Sequence, residues 1–320
     1  MHDIIVIGGG AAALSAAAYG LGKQLDVLIV YETLGGKAGQ RFSVRSKEDF
    51  LVGHILVHLA FPDDHPIGEA QFAGEETVHL FERQIRARSG VALRDRVIGV
   101  TRLGNTFQVE TERHGYHKGT TVIVATGVVP KLLDVPGAQD FLGLGLGYSA
   151  TTYARMLDGK TAAVIGTTRR ALRGAAELAH GAEKVYLIAP EPANHNDPLF
   201  VALKNLSNVK ILEDCTVKEV LGVHSVEHVV VEMGAEINYL SVDAAFIDLG
   251  LYPNTAMLEG LVELDGEGFI KVDYHNAAST PGVFAAGDVT TAFGEQVLIA
   301  IGDGARAALS AYDYLLAHGR

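Results

Sequence analysis

The sequence predicts an α/β protein with two Rossmann-like nucleotide-binding domains, and three features carry that prediction. An apolar strand from Asp3 to Ile7 runs into Gly8-Gly9-Gly10-Ala11-Ala12-Ala13 and an Ala-rich helix. A second strand, turn and helix start occupies residues 161–171. A Gly-Asp pair, Gly287-Asp288, follows a short apolar strand and precedes a long helical stretch. Strands that alternate with helices in this way are typical of parallel sheets covered by helices.

Length and composition fit a globular chain of two domains. The 320 residues are 48% apolar and 20% charged, which is ordinary for such a protein. The net charge of −12 argues against a nucleic-acid partner, because binding a phosphate backbone requires a basic face. No apolar run approaches the roughly 20 residues of a membrane span, and a strand begins directly after Met1. We therefore expect no membrane segment and no signal peptide, and we predict a cytoplasmic protein.

Cys215 is the only cysteine. No disulfide can form within the chain, so a dithiol mechanism of its own is excluded. Cys215 ends an apolar stretch that is typical of a strand, where a single cysteine usually serves as a small hydrophobe. We expect an unreactive thiol.

The first glycine motif predicts a dinucleotide site. In Gly-x-Gly-x-x-Ala, Gly8 permits the tight turn, Gly10 lets the backbone approach a pyrophosphate, and Ala13 allows close helix packing. The helix N-terminus then receives the phosphate charge. The second strand ends at Glu32, about 20 residues beyond Gly10, which is the usual reach to ribose hydroxyls.

The second start keeps the architecture but loses the glycines. Thr168 stands two residues after Gly166, where the second glycine belongs, so a side chain obstructs a pyrophosphate. The next strand ends at Glu191 instead of at an arginine that would hold a 2′-phosphate, which disfavours NADPH more than NADH. Three arginines lie in the first turn of the following helix: Arg169, Arg170 and Arg173. Two interpretations fit them equally, namely side-chain contacts to phosphates and a solvated basic face.

The C-terminal region predicts the other end of the first site. Asp288 ends a short strand, where an acid can accept hydrogen bonds from a sugar alcohol. Glu295-Gln296-Val297 begins a helix predicted to reach about Leu316, and its N-terminal N–H groups favour an electron-rich ring edge.

Taken together, these motifs resemble the low-molecular-weight thioredoxin reductase family along essentially the whole chain. The matching segments are Val6 to Ala13, Gly35-Gly36-Lys37, Val124-Ala125-Thr126-Gly127, Gly250 through Thr255, and Ala285 through Thr291. The resemblance implies a thioredoxin reductase-like fold of two three-layer ββα domains and a homodimer. The FAD domain is expected to be discontinuous, at residues 1–131 and 248–320, with a pyridine-nucleotide domain inserted at residues 132–247.

The resemblance also implies residue roles in binding FAD. The implied positions are Gly8, Gly10 and Ala13 at the pyrophosphate, Glu32 at the adenosine ribose, Val97 at the adenine, Gly36, Lys37, Thr126 and Gly127 along the site, Asp288 at the ribityl chain, and Gln296 and Val297 at the isoalloxazine. Glu295 departs from the family, which often has a basic residue there.

Ser149-Ala150-Thr151-Thr152 stands where the family carries its redox-active Cys-x-x-Cys. Transfer from flavin to a dithiol cannot occur, because hydroxyls do not undergo disulfide exchange. Tyr148, Ser149 and Thr152 are expected to line the accessible face of the flavin. Relatives without the cysteine pair include ferredoxin–NADP reductases and bacillithiol-type reductases, and some relatives accept electrons from ferredoxin or carry a second flavin.

We therefore expect an FAD-dependent oxidoreductase whose flavin passes electrons from a ferredoxin-like protein or NAD(P)H to an unidentified acceptor. The second site has two alternatives, weak NAD(P)H binding and a second FAD held by Gly166, the three arginines and Glu191. A flavin-holding redox sensor or interaction protein without turnover is the alternative function.

Two further clusters lie outside these motifs. His54 and His58 would share one face of a helix, with Asp63, Asp64 and His65 beyond. Gly53 and the branched residues disfavour a helix, so we predict no metal site. We interpret the longer segment from Arg41 to Gly74 as a lid or interface. A basic patch fits docking of an acidic ferredoxin or flavodoxin and comprises Arg83, Arg86, Arg88, Arg94 and Arg96. Salt bridges to Glu75, Glu76, Glu82 and Asp95 are the preferred interpretation of that patch.

Overall fold

The computed structural model describes residues 1–39, 42–45, 50–53, 55–59, 70–73, 79, 83, 85 and 91–318. Its strands are β1 His2–Ile7, β2 Val27–Tyr31, β3 Phe42–Arg45, β4 Phe50–Gly53, β5 Ile55–Leu59, β6 Ala70–Ala73, β7 Ala92–Arg94, β8 Val97–Leu103, β9 Thr106–Thr111, β10 Gly115–Val124, β11 Val128–Pro130, β12 Leu146–Gly147, β13 Thr161–Ile165, β14 Lys184–Ala189, β15 Val209–Glu213, β16 Cys215–Gly222, β17 Val226–Met233, β18 Glu236–Ser241, β19 Ala244–Ile247, β20 Leu251–Pro253 and β21 Val283–Ala285. Its longer described helices are α1 Ala11–Gly22, α2 Ala150–Tyr153, α3 Arg169–Leu178, α4 Pro198–Lys204 and α5 Val297–Ala317.

The chain divides into two compact units. The first contains the described residues of Met1–Gly39, Leu56–Val129 and Tyr252–Arg320, and the second contains those of Gln40–Ile55 and Pro130–Leu251. Each unit is therefore assembled from separate stretches of the sequence.

In the first unit, the strands are ordered β7-β2-β1-β10-β9-β8, with β21 beside β10. Strands β7, β2, β1, β10 and β21 pair in parallel, whereas β10 continues into an antiparallel meander with β9 and β8. Ile4 and Val6 pack with α1 and α5, and Ile5 and Ile7 pack with the meander. The strand is apolar throughout because alternate side chains enter two different cores.

Helices α1 and α5 approach each other closely in this unit. A Cβ at Gly304 would lie 2.1 Å from the carbonyl oxygen of Ala12, so only glycine fits there. Ser15 adds a hydrogen bond, its hydroxyl donating to the carbonyl oxygen of Ile301 at 2.7 Å. The start of α1 is thereby fixed against the middle of α5.

The second unit repeats the same three layers. Its parallel sheet has the order β12-β19-β13-β14-β15, and β16, β17 and β18 form an antiparallel meander. Ala162 and Val164 pack with α3 and α4, while Ala163 and Ile165 pack against the meander. The predicted fold class, two Rossmann-like ββα units, is confirmed. Among the described helices, none has the length and apolar character that crossing a membrane would require.

Candidate functional site

Two glycines shape the turn between β1 and α1 in different ways. Gly8 has φ +128°, and a Cβ there would lie 2.2 Å from the carbonyl oxygen of Ala125, so both backbone and space require glycine. Gly10 precedes α1 in an extended conformation, and no described atom lies within 4 Å of where its Cβ would be. Gly8 therefore makes the turn, and Gly10 leaves open room above the helix N-terminus.

The N-terminus of α1 suits an anion. Its first turn holds no acidic residue, and no side chain in the described part of the chain caps it. The free N–H groups and the helix dipole then favour a negatively charged group. Ala13 is fully buried in the core that α1 shares with α5. These residues fit the pyrophosphate of FAD.

Three charged residues meet beside this turn. The Lys37 ammonium lies 2.6 Å from Asp288 Oδ2 and 3.8 Å from Glu295 Oε2. A Cβ at Gly36 would lie 3.1 Å from the Cα of Gly10, and one at Gly287 would lie 3.0 Å from the Cβ of Ala12. The two loops that carry Lys37 and Asp288 therefore both pack against the start of α1.

The residues predicted at the adenosine end also lie near one another. Glu32 follows β2, and its Oε2 lies 3.2 Å from Arg96 Nε, while its carbonyl oxygen accepts a hydrogen bond from Arg94 Nε at 3.2 Å. Val97 is buried at the start of β8. Two arginines of the predicted basic patch thus contact Glu32, and neither side chain pairs with Asp95 among the described residues. Arg86, Arg88, Glu75, Glu76 and Glu82 lie outside the described residues, and Arg83 is exposed.

Asp95 stabilises the loop at the predicted adenosine end through hydrogen bonds. Its buried carboxylate accepts backbone N–H groups of Arg96, Arg113 and His114, and His114 Nδ1 lies 2.6 Å from its Oδ2. Burial alone would raise the pKa of Asp95, but the hydrogen bonds from His114, Arg96 and Arg113 hold that pKa well below its usual range. An ionised Asp95 therefore fixes the loop that leads into Val97.

Thr126 and Gly127 tie the end of β10 to a distant segment of the same unit. The Thr126 hydroxyl donates to the carbonyl oxygen of Asn254 at 2.7 Å, and the Asn254 side chain donates to the carbonyl oxygen of Thr126 at 3.0 Å. Gly127 has φ +66° and accepts from the N–H of Asn254. Farther on, α5 begins at Val297 after Gln296, as predicted, and no described side chain caps that N-terminus.

Sequence reasoning missed Asp303, an acid on the buried face of α5. Its side chain is only 6% exposed, Arg306 Nη1 lies 3.3 Å from its Oδ1, and its Oδ2 has no hydrogen-bond partner among the described residues. Burial raises the pKa of the Asp303 carboxyl, an effect that Arg306 and a hydrogen bond from the Gly287 N–H oppose and that nearby Asp288 reinforces. The only available signal was an acidic residue on a face of α5 that otherwise carries mostly small residues.

Asp303→Asn is expected to flatten the pH dependence of stability. Because the folded-state pKa is raised, the protonated acid is favoured in the folded protein, and its contribution is full below the unfolded pKa of about 3.9 and is lost as pH rises through the folded value. The amide cannot ionise, so the variant should keep a higher Tm than the parent near pH 7. Scanning calorimetry from pH 4 to 8 checks this, with the exposed Asp313→Asn on the same helix as control; equal pH slopes would contradict it.

The second unit has a corresponding glycine turn after β13, but side chains occupy the N-terminus of α3. Gly166 has φ +135°, and a Cβ there would lie 1.9 Å from the carbonyl oxygen of Asp248. The Thr168 hydroxyl accepts a hydrogen bond from the Ala171 N–H at 3.0 Å and donates to Asp248 Oδ1 at 2.8 Å. One helical N–H is thus already satisfied by a side chain.

Asp248 supplies a negative charge at the same helix end. Its buried carboxylate lies 2.7 Å from Arg170 Nε, and Arg169 lies 3.2 Å from Asp197. Burial raises the pKa of Glu177, and the positive charge of Arg173 on the same helix partly opposes that effect. Arg169 and Arg170 therefore each face a carboxylate of their own unit.

The strand ends around this position are also acidic. Glu191 is exposed after β14, and Glu213 at the end of β15 lies 2.6 Å from His195 Nε2. A pyrophosphate at this helix end would meet the Asp248 carboxylate and an N-terminus that Thr168 already caps, unlike at the start of α1.

Two hydroxyls stand at the Ser149-Ala150-Thr151-Thr152 segment. Ser149 precedes α2, and its Oγ lies 2.7 Å from Thr152 Oγ1, a hydrogen-bonding distance. Burial raises the pKa of the neighbouring Tyr148 phenol. That these residues line the flavin stays a prediction, since they belong to the second unit.

The remaining candidates do not form a site in the described part of the chain. No group of three metal-ligating side chains occurs among the described residues. His54 lies outside them, and β4 and β5 are strands where a helix would have been needed to align the histidines. Cys215 is buried with its thiol 3.2 Å from the carbonyl oxygen of Leu212, and burial raises its pKa, which disfavours the reactive thiolate.

Comparison with known proteins identifies the family. The sequence profile of the pyridine nucleotide-disulphide oxidoreductases matches residues 2–304. The chain belongs to the pyridine nucleotide-disulphide oxidoreductase family. This family member is 30% identical over 318 residues to a subunit of the alkyl hydroperoxide reductase of Staphylococcus aureus and 32% identical over 319 residues to NADH dehydrogenase of Bacillus subtilis. Each alignment covers 98% of the chain but only 59% and 58% of the respective relative.

Solved structures agree with this assignment. Thioredoxin reductase from Streptococcus pyogenes superposes with a TM-score of 0.84 at 27% identity, covering 99% of both chains. Thioredoxin reductase from Giardia duodenalis shares the fold, with a TM-score of 0.83 at 22% identity over 98% of this chain and 99% of that one. The fold of this family member is therefore thioredoxin reductase-like.

Proposed function

We propose that this family member is an FAD-dependent oxidoreductase that passes electrons through flavin without a redox-active dithiol in its own chain. The observation that carries the proposal is the open N-terminus of α1. Gly10 leaves room above that helix, its first turn is free of acids, and the loops of Lys37 and Asp288 pack against it. Bound FAD would supply the electron storage, and the chain would supply its position and electrostatics.

Each end of the cofactor has a residue suited to it. The α1 N–H groups would bind the pyrophosphate, and the Asp288 carboxylate would accept hydrogen bonds from the ribityl hydroxyls. The uncapped start of α5 would stabilise negative charge on the reduced ring. The backbone of Val97 and the side chain of Glu32 would bind the adenosine, with Glu32 exchanging its contact with Arg96 for the ribose.

The residues at the start of α3 in the second unit are the basis for ranking the candidate electron donors. Its helix end is occupied by Thr168, Arg170 and Asp248, which argues against phosphate-mediated binding of NADPH. NADH comes first among the nucleotides because one relative is named NADH dehydrogenase. A ferredoxin-like protein is the alternative donor. We further propose a cytoplasmic homodimer.

An anaerobic titration with NADPH and NADH, combined with a count of FAD per chain, tests this function. We expect about one FAD per chain and slow or no flavin bleaching by NADPH, because Asp248 and Glu191 repel its phosphates. Asp248→Asn should speed bleaching, since it removes the repulsion and releases Arg170 toward an anion. Glu183→Gln, on an exposed residue before β14, is the matched control.

Two results would overturn the interpretation of the second unit, and a third would overturn the proposed function. Rapid bleaching of the parent by NADPH would restore an ordinary nucleotide site, and two FAD per chain would place a second flavin on α3. Absence of bound FAD would remove the cofactor altogether.

The same occupied helix end favours a second function. A protein whose second unit binds no nucleotide could hold flavin as a redox sensor without turnover. Flavin that dithionite reduces but that neither nucleotide nor ferredoxin reduces would support the sensor, and steady-state turnover with any of these donors would exclude it.

A further inference from the structure

We propose that Lys37 sets the charge of the flavin site by compensating two carboxylates, Asp288 and Glu295. This inference rests on the proposed function, because it concerns FAD bound in the first unit. The Lys37 ammonium lies 2.6 Å from Asp288 Oδ2 and 3.8 Å from Glu295 Oε2. It therefore serves both acids at once.

The three residues come from three separate parts of the sequence. Lys37 lies in the turn Gly36–Gly39 after β2, Asp288 lies in the turn Gly287–Val289 after β21, and Glu295 precedes α5. Gly36 packs on Gly10, at the N-terminus of α1. The cation is thus placed between the helix end that suits the pyrophosphate and the acid that suits the ribityl chain.

The ion pair is sheltered from solvent on its acidic side. The Asp288 side chain is 14% exposed, and that of Lys37 is 37% exposed. Solvent and salt screen such a pair less than they screen a fully exposed one. Loss of the lysine would leave Asp288 and Glu295 without this ammonium beside a diphosphate and beside a ring that becomes anionic on reduction.

Two consequences follow from the charge balance. FAD should bind more weakly without Lys37, because its phosphates would approach a more negative site. Binding of the reduced flavin should weaken more than binding of the oxidised flavin, because the reduced ring carries the additional negative charge. The midpoint potential should therefore fall. A purely structural role for Lys37 would not move the potential in this charge-dependent way.

The test combines FAD titration of the apoprotein with the midpoint potential of the reconstituted protein. We expect Lys37→Gln to weaken FAD binding at least about tenfold and to shift the potential to more negative values, with a smaller binding loss at high salt. Lys37→Arg should keep both properties near the parent. Lys271→Gln, which removes an exposed lysine of the same unit, is the control.

A rescue variant makes the test specific for charge. In Lys37→Gln combined with Glu295→Arg, the longer guanidinium side chain at position 295 can reach Asp288 from the α5 side and should restore much of both properties. Glu295→Gln alone should strengthen FAD binding and raise the potential, which provides a second test that leaves Lys37 in place.

The failing results differ from those of the proposed function. FAD affinity and potential unchanged in Lys37→Gln, or equally impaired in Lys37→Arg, would overturn this inference while the parent still binds FAD. A parent apoprotein that binds no FAD would overturn the proposed function and this inference with it.

Discussion

Replacing Ser149 and Thr152 by cysteines is expected to create a disulfide that the natural chain cannot form. Their oxygens already lie 2.7 Å apart at the start of α2, and a disulfide needs its sulfurs about 2.05 Å apart. Because sulfur is larger than oxygen and the C–S bond is longer, a small rotation of each side chain suffices. A helix N-terminus also lowers the pKa of a thiol, which speeds oxidation.

Counting thiols by alkylation and mass spectrometry checks this expectation. After oxidation, only the Cys215 thiol should remain alkylatable in the unfolded double variant. Ser149→Cys combined with Thr151→Cys is the matched control, because position 151 does not share the hydrogen bond of Thr152. Two persistent free thiols at positions 149 and 152 would show that the hydroxyl pair does not have the geometry of a dithiol.

The parent chain should correspondingly give no NADPH-dependent turnover of thioredoxin. Neither hydroxyl can form the mixed disulfide that exchange requires. Turnover by the unaltered chain would contradict both the alignment of this segment and the proposed mechanism.

Asp288→Ala is expected to weaken FAD binding by about 10- to 150-fold, which corresponds to charge-assisted hydrogen bonds worth about 1.5–3 kcal/mol. The change removes the ribityl acceptor and deprives the Lys37 ammonium of its 2.6 Å partner. Fluorescence titration of the apoprotein with FAD measures the loss. Asp313→Ala, on the exposed face of α5, should leave affinity unchanged.

An Asp288→Ala affinity equal to that of the parent would show that the ribityl chain does not lie at the Gly287–Val289 turn. Asp288→Asn separates charge from hydrogen bonding, because the amide keeps one acceptor oxygen. We expect it to fall between the parent and the alanine variant.

The conformation of the backbone at turns, strands and helix starts was the feature most easily predicted from the sequence. The turn at Gly8 was predictable because a tight turn constrains the residue that occupies it, whereas the approach of a pyrophosphate to Gly10 stays a prediction. The apolar strand β1 and the start of α5 were likewise predictable, since periodicity and local chemistry decide them. The fold class followed from the order of these elements.

Side-chain pairing across the fold was much less readable. Thr168 was predicted to obstruct a phosphate, but its partner Asp248 is 80 residues away in sequence and was not foreseen. Lys37 was expected only as an FAD contact, although it also pairs with Asp288 and Glu295. Asp303 gave almost no signal. Such pairs depend on which loops the tertiary structure brings together, and no local pattern encodes that.

The Asp248 carboxylate has a consequence for the stability of the second unit. A Rossmann helix that relies on bound phosphate is complete only when its ligand is present, so the stability of such a domain rises and falls with nucleotide supply. A resident carboxylate at the start of α3 removes that dependence. We therefore expect the stability of the second unit to depend little on nucleotide supply.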